Sequence, residues 1–202
     1  MRVDSVTATA FLNTDVAASF AAVAWLLVAW LNEKKPKLLG LLTGAVAGLA
    51  TVTPAAGYVS PTTAVIIGIV SGVVCNYAVE MKNKLQWDDA LDVWGVHGVG
   101  GFLGIVMLGI FANKQFNPEG ANGLLYGDPV FLLKQVTAVV FSSVWAFVFT
   151  YAMLRIIDAF TTVKVSEASE EIGLDESLHG EHAYEQLTDQ DVIHDLVQSV
   201  RR

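Results

Sequence analysis

Of the four histidines in the sequence, His97 alone lies within a long apolar stretch; His179, His182 and His194 all fall in the acidic C-terminal segment. A neutral imidazole offers one hydrogen-bond donor and one acceptor, and it can pass a proton between them. At membrane depth such a group is costly and by default faces a bundle interior or a pathway. Counted from Asp89, His97 lies ~12 Å along its helix. Gly98, Gly100, Gly101 and Gly104 follow it, and glycines beside an imidazole leave room either for a tightly packed neighbour or for a lumen. A core histidine bonded across helices and a histidine facing a passage both fit the residues.

Other polar groups near the apolar stretches are few. Asp88, Asp89 and Asp92 precede His97 at the start of its helix, where carboxylates complement the positive end of the helix dipole. Asp92 and His97 are five apart rather than three or four, so they do not share a face. That spacing favours capping or loop anchoring by Asp92 over proton transfer. Asn13, Thr14 and Asp15 read as a polar helix start, with Asn13 and Thr14 as alternative anchors of the helix that faces the site. The single cysteine, Cys75, sits in an apolar run and reads as a small buried hydrophobe. No nucleophile–base pair or metal-ligand cluster stands out, so the residues point to neither an enzyme, a metal nor a cofactor.

The elements that must position these groups are membrane-spanning helices. The sequence is 53% hydrophobic, with a mean hydropathy of +0.51, above what a soluble domain of 202 residues carries. Five apolar stretches, at about 10–31, 38–59, 62–81, 91–111 and 130–157, approach or exceed the ~20 residues a helix needs to cross the hydrocarbon layer. Backbone groups in lipid must be satisfied within the segment, and runs of this length without alternation favour helices over a barrel. Lys34, Lys35 and Lys37 follow the first stretch, Lys82 and Lys84 the third, and Arg155 and Lys164 flank the exit of the last; the connection at 57–61 is uncharged, and that at 113–129 has Lys114 alone as a base. The positive-inside rule then puts the lysine-bearing loops and the C-terminus in the cytoplasm. Lys34, Lys35 and Lys82 read as exposed bases able to pair with the acids of the C-terminal segment. Trp30 and Trp87 fall near that interface, whereas Trp25 and Trp145 read as buried.

Gly40, Gly44 and Gly48 form overlapping small-xxx-small steps in the second stretch, with Gly68/Gly72 in the third and Gly100/Gly104 in the fourth. Such faces let backbones approach closely where lipid supplies no hydrophobic drive. The chain divides into a helical membrane region, 1–165, and an acidic tail, 166–202, which holds ten Asp/Glu against two Arg and so carries the net charge of −8.

The run from Asp88 through Asp92, Val93, Trp94, Gly95, Val96 and His97 to Gly98, Val99, Gly100 and Gly101 resembles the signature around the second pore histidine of ammonium transporters of the Amt/Rh type, with Trp94 where Phe is commoner. Further likeness follows in order: Ala10-Phe11-Leu12-Asn13-Thr14; Gly44 to Leu49 leading into Thr53-Pro54-Ala55-Ala56-Gly57; then Gly173-Leu174-Asp175 and His179-Gly180-Glu181 in the tail. The resemblance reaches to about Tyr184. It implies an all-α integral membrane fold: about five transmembrane helices from the second half of an eleven-helix inverted-repeat protein, assembled as a homotrimer with one pore per subunit.

By the same resemblance the substrate is ammonium or ammonia and the chain sits in the lipid bilayer, with no nucleic acid involved; a PII-type signalling protein is the partner that the sensing reading below would recruit on the cytoplasmic face. His97 would pair with a first histidine outside this sequence, as would lie the gate and outer-site aromatics. Gly173, Asp175, His179, Gly180, Glu181 and Tyr184 would belong to a regulatory tail that packs on cytoplasmic loops. Two other functional readings remain open on sequence alone: a nitrogen-sensing membrane scaffold, and a non-functional fragment.

Overall fold

The structure, a computed structural model, describes residues 3–181. All regular elements among these residues are helical: α1 (Ser5–Glu33), α2 (Leu38–Val52), α3 (Pro61–Lys84), a π-helical segment (Trp94–Val99) running straight into α4 (Gly100–Phe111), a short 3₁₀ turn (Leu124–Tyr126), α5 (Pro129–Asp158), α6 (Glu167–Ile172) and a second π-helical segment (Asp175–His179). Helices at 5–32, 61–84, 94–111 and 129–158 are long and apolar enough to cross a membrane. The chain is a multi-pass membrane protein.

Three of the long helices begin where the sequence supplies a cap. Asp4 accepts from the Thr7 amide to open α1, Ser60 from Thr63 ahead of Pro61 to open α3, and Asp128 from Phe131 ahead of Pro129 to open α5. α1 ends in a left-handed residue, Lys34 (φ 63°), whose amide donates to Trp30 O.

The expected second span is cut short. α2 stops at Val52, and its fifteen residues rise only ~22 Å. Thr53 still holds right-handed helical angles, but Pro54 has no N–H to donate to the carbonyl four residues back, and the chain goes on as a series of turns to Ser60. The fourth span starts at Trp94 rather than Leu91, because Asp92 adopts a left-handed conformation (φ 57°).

Two compact units are present, Met1–Trp145 and Ala146–Arg202, with the change falling inside α5. In the first unit α1, α2 and α3 all pack on one another, and the surface of α1 that meets the other two is made of small residues. A Cβ on Gly48 would come 2.5 Å from Ala17 O and 2.7 Å from Ala21 Cβ, and one on Gly68 would also come 2.5 Å from Ala17 O. Gly72 is equally close to Ala21 O, and Gly44 to Trp25 Cβ. The glycines of α2 and α3 therefore close on one alanine stripe of α1, within this chain. Trp25 is buried at the end of that stripe, but Trp145 is 61% exposed.

At one end of this unit the turn after α2 meets the loop after α4: Asn113 N donates to Tyr58 O, and Gly123 N to Ala112 O. The opposite end carries Lys34, Lys37, Lys82 and the aspartates before the π segment. In the second unit, Ser166 caps α6 by accepting from Ser169 N. Residues 182–202, which include Tyr184 and the expected terminal helix, lie outside the described residues.

Candidate functional site

His97 stands in the middle of the π-helical segment. A π turn carries an extra residue per cycle and is found mostly as a single turn at functional sites. What holds it here is the α3 face beneath. Gly95 packs so tightly that a Cβ would fall 2.6 Å from Val79 Cγ2 and 3.2 Å from Val79 N. One turn further on, a Cβ on Gly100 would fall 2.9 Å from Thr51 Oγ1 and 3.3 Å from Cys75 Sγ, and one on Gly104 would meet Thr51 O. These three glycines form the buried side of the helix. Behind them Thr51 and Ser71 share a hydrogen bond of 2.8 Å, satisfying two buried hydroxyls, and Cys75 is free and buried.

The other two glycines behave differently. Nothing lies within 4 Å of a Cβ on Gly101, and one on Gly98 would meet only Trp94, at 3.6 Å. His97 and Gly98 are exposed, and Gly101 is half-buried. The sequence left open whether the glycines around His97 make room for packing or for a lumen. The structure shows packing on one side and open space on the other: Gly95, Gly100 and Gly104 seat the helix, while Gly98 and Gly101 leave the histidine side bare.

The start of the segment is held by Asp89. Its Oδ1 accepts from Val93 N and its Oδ2 from Trp94 N, both at 2.9 Å, so one carboxylate satisfies two of the amides that a helix start leaves unpaired. Asp92 does something else. Its Oδ1 lies 2.7 Å from Lys82 Nζ, with the lysine side chain 6% exposed and the aspartate 29%. The same ammonium donates to Asp89 O at 2.6 Å. Lys82 is thus buried under the turn, and the expectation that it stands exposed for the acidic tail is overturned. Trp94 meets Trp87 edge to face, ring centroids 5.0 Å apart, closing the loop above.

Asn13 and Thr14 lie toward the opposite end of the unit. α1 begins eight residues earlier, at Ser5, so Asn13 is no helix start but a fully buried interior residue. Its Nδ2 donates to Ala56 O at 2.7 Å and Val59 O at 2.8 Å, tying α1 to the turn that follows the shortened α2. Thr14 Oγ1 bonds only back to Ala10 O, within its own helix. His97 and Asn13 are therefore not brought together.

In the second unit Gly173 (φ 101°), two residues before the short π segment, and Gly180 (φ 66°), directly after it, both take positive-φ conformations. Gly180 N donates to Glu176 O, and Glu181 N to Asp175 O, which closes the segment at His179. No cluster of three metal-ligating side chains occurs among the described residues.

With this geometry in place, comparison with known proteins is informative. Residues 1–184 match the Ammonium Transporter Family. An ammonium transporter of Bacillus subtilis is 42% identical over 186 residues, covering 92% of this chain and 46% of that protein. Among solved structures, Candida albicans Mep2 superposes with a TM-score of 0.74 at 36% identity, over 83% of this chain and 38% of that one. A structure titled Sensor Amt Protein gives 0.77 at 27% identity, over 88% and 43%. The chain spans less than half the length of these relatives.

Proposed function

The chain belongs to the ammonium transporter family, and we propose that it supplies one wall of a pore that carries ammonium or ammonia across a membrane, with His97 on the pore face. The observation that carries this reading is the two-sided glycine pattern around His97, with the packed side on α2 and α3 and the bare side under the imidazole. A bare polar residue on a spanning helix is expensive in hydrocarbon, so it has to meet further protein or a passage. A second histidine from protein outside this sequence would pair with it. In a narrow apolar passage a charged species is disfavoured, which favours neutral ammonia and gives the imidazoles a role in passing the proton. Transport of this kind needs no covalent step, and the protein is not an enzyme on this reading.

Asp92 and Asn13 act as anchors, the first beneath the His97 segment and the second near the opposite end of the unit; Thr14, bonded within α1, is an anchor only through its own helix. The lysine-bearing end of the first unit and the tail face the cytoplasm, following the charge asymmetry. The subunits form homotrimers, and Gly173, Asp175, His179, Gly180 and Glu181 belong to a regulatory tail that offers a surface to a PII-type protein.

A sensing role is the second reading, and the likeness to a structure titled Sensor Amt Protein favours keeping it. The two separate in one experiment. The chain is fused to the part of the Bacillus subtilis relative that it does not cover and expressed in cells lacking their own ammonium transporters. Replacing His97 with Ala should abolish or strongly reduce uptake of labelled methylammonium with membrane assembly intact; uptake equal to the parent would favour sensing.

A further inference from the structure

The family reading gives His97 a pore position but leaves unexplained a buried cation nearby, Lys82. We infer that Lys82 is a positioning residue that fixes the rotation of the His97 segment; this rests on the pore reading of His97. The ammonium grips both ends of the turn that starts the segment, Asp89 through its carbonyl oxygen at 2.6 Å and Asp92 through its carboxylate at 2.7 Å. Asp89 in turn fixes Val93 N and Trp94 N. Asp92 O accepts from Val96 N at 2.9 Å, the next bond along the helix. The amides of Val93, Trp94 and Val96 at the opening of the segment therefore all donate to residues that Lys82 holds.

The grip has a second point. Val79, one turn before Lys82 on α3, is the residue against which Gly95 closes. Two residues on one α3 face thus clamp the segment, at its cap and at its first buried glycine. His97 lies two residues past Gly95 on the bare side, where it is exposed. Its direction is set by the rotation of the backbone. Asp92 in its left-handed conformation is strained and would relax if its partner were lost. Loss of the extra residue of the π turn would swing His97 by about 100° relative to Gly100.

Removing Lys82 alone leaves a partly buried carboxylate without its cation, which destabilises in its own right. The test therefore compares Lys82→Met with the double variant Lys82→Met/Asp92→Asn, in which no charge is stranded and Asn suits the left-handed position. Both are made in the fusion described above. Thermal stability in detergent is read beside the maximal rate and the apparent affinity for methylammonium. Displacement of a working group by about 1 Å can cost on the order of a hundredfold in rate.

The expected result is that the double variant regains the stability of the parent while its maximal rate stays at least about tenfold down, with apparent affinity little changed. A rate that recovers together with stability would overturn the proposal and leave Lys82 a structural ion pair. Should Lys82→Met fail to assemble, the double variant carries the comparison. His97→Ala is run alongside: if it transports like the parent, the pore reading itself has failed, whatever Lys82 does.

Discussion

The side-chain amide of Asn13 reaches across to Ala56 O at 2.7 Å, joining the third turn of α1 to a turn of the chain 43 residues later. Because α2 ends early, the carbonyls of Ala56 and Val59 have no helix to close on, and Asn13 satisfies both. Asn13→Leu, which keeps the branching of the side chain but is larger and cannot donate, should cost ~1–3 kcal/mol through these stranded acceptors and the added bulk. The check is a lowered thermal midpoint in detergent; a midpoint equal to the parent would show that the turn finds other donors.

Glycines on the two sides of the His97 helix should respond in opposite ways. Gly104→Ala sets a methyl against Thr51 O and, at 3.0 Å, Pro54 Cγ, atoms that cannot swing aside, and should destabilise by ~1–3 kcal/mol. Gly101→Ala meets nothing within 4 Å and gains helix propensity, so stability should hold or rise by up to ~1 kcal/mol. Thermal unfolding of the two variants side by side decides; equal losses would contradict the packed and bare sides described above.

Orientation follows from charge and is open to labelling. With the buried Cys75 as the only native thiol, a cysteine at Asn117 should react with an impermeant reagent in whole cells, and one at Ser169 only after lysis. The reverse pattern would invert the proposed topology.

The spans were legible because apolar runs of membrane-crossing length admit little besides helix, and Ser60-Pro61 and Asp128-Pro129 mark helix starts by themselves. The early end of α2 was also written in the sequence, at Pro54, but the apolar count ran through it. The π turn was not legible: a helix apolar on nearly every side has no periodicity to betray an extra residue, and the glycine density around His97 was the available signal. Lys82 was misjudged because a lysine at a span's end reads as an interfacial charge. Its partners, seven and ten residues on, reach it only because Asp92 turns left-handed, and spacing alone does not reveal that. The partners of Gly44, Gly48, Gly100 and Gly104 were not legible for a similar reason, since Trp25, Ala17 and Thr51 are distant in sequence and close in space.

The central claim is that the bare side of the His97 helix lines the passage, and Gly101 tests it most directly. Gly101 lies one turn past His97, with open space where a side chain would go. The fusion carrying Gly101→Cys is reconstituted in liposomes, and ammonium-driven change of internal pH is followed before and after a small thiol reagent. Modification should block the flux in this variant and leave the parent, whose Cys75 is buried, unaffected. Complete modification at Gly101→Cys with flux undiminished would contradict the account.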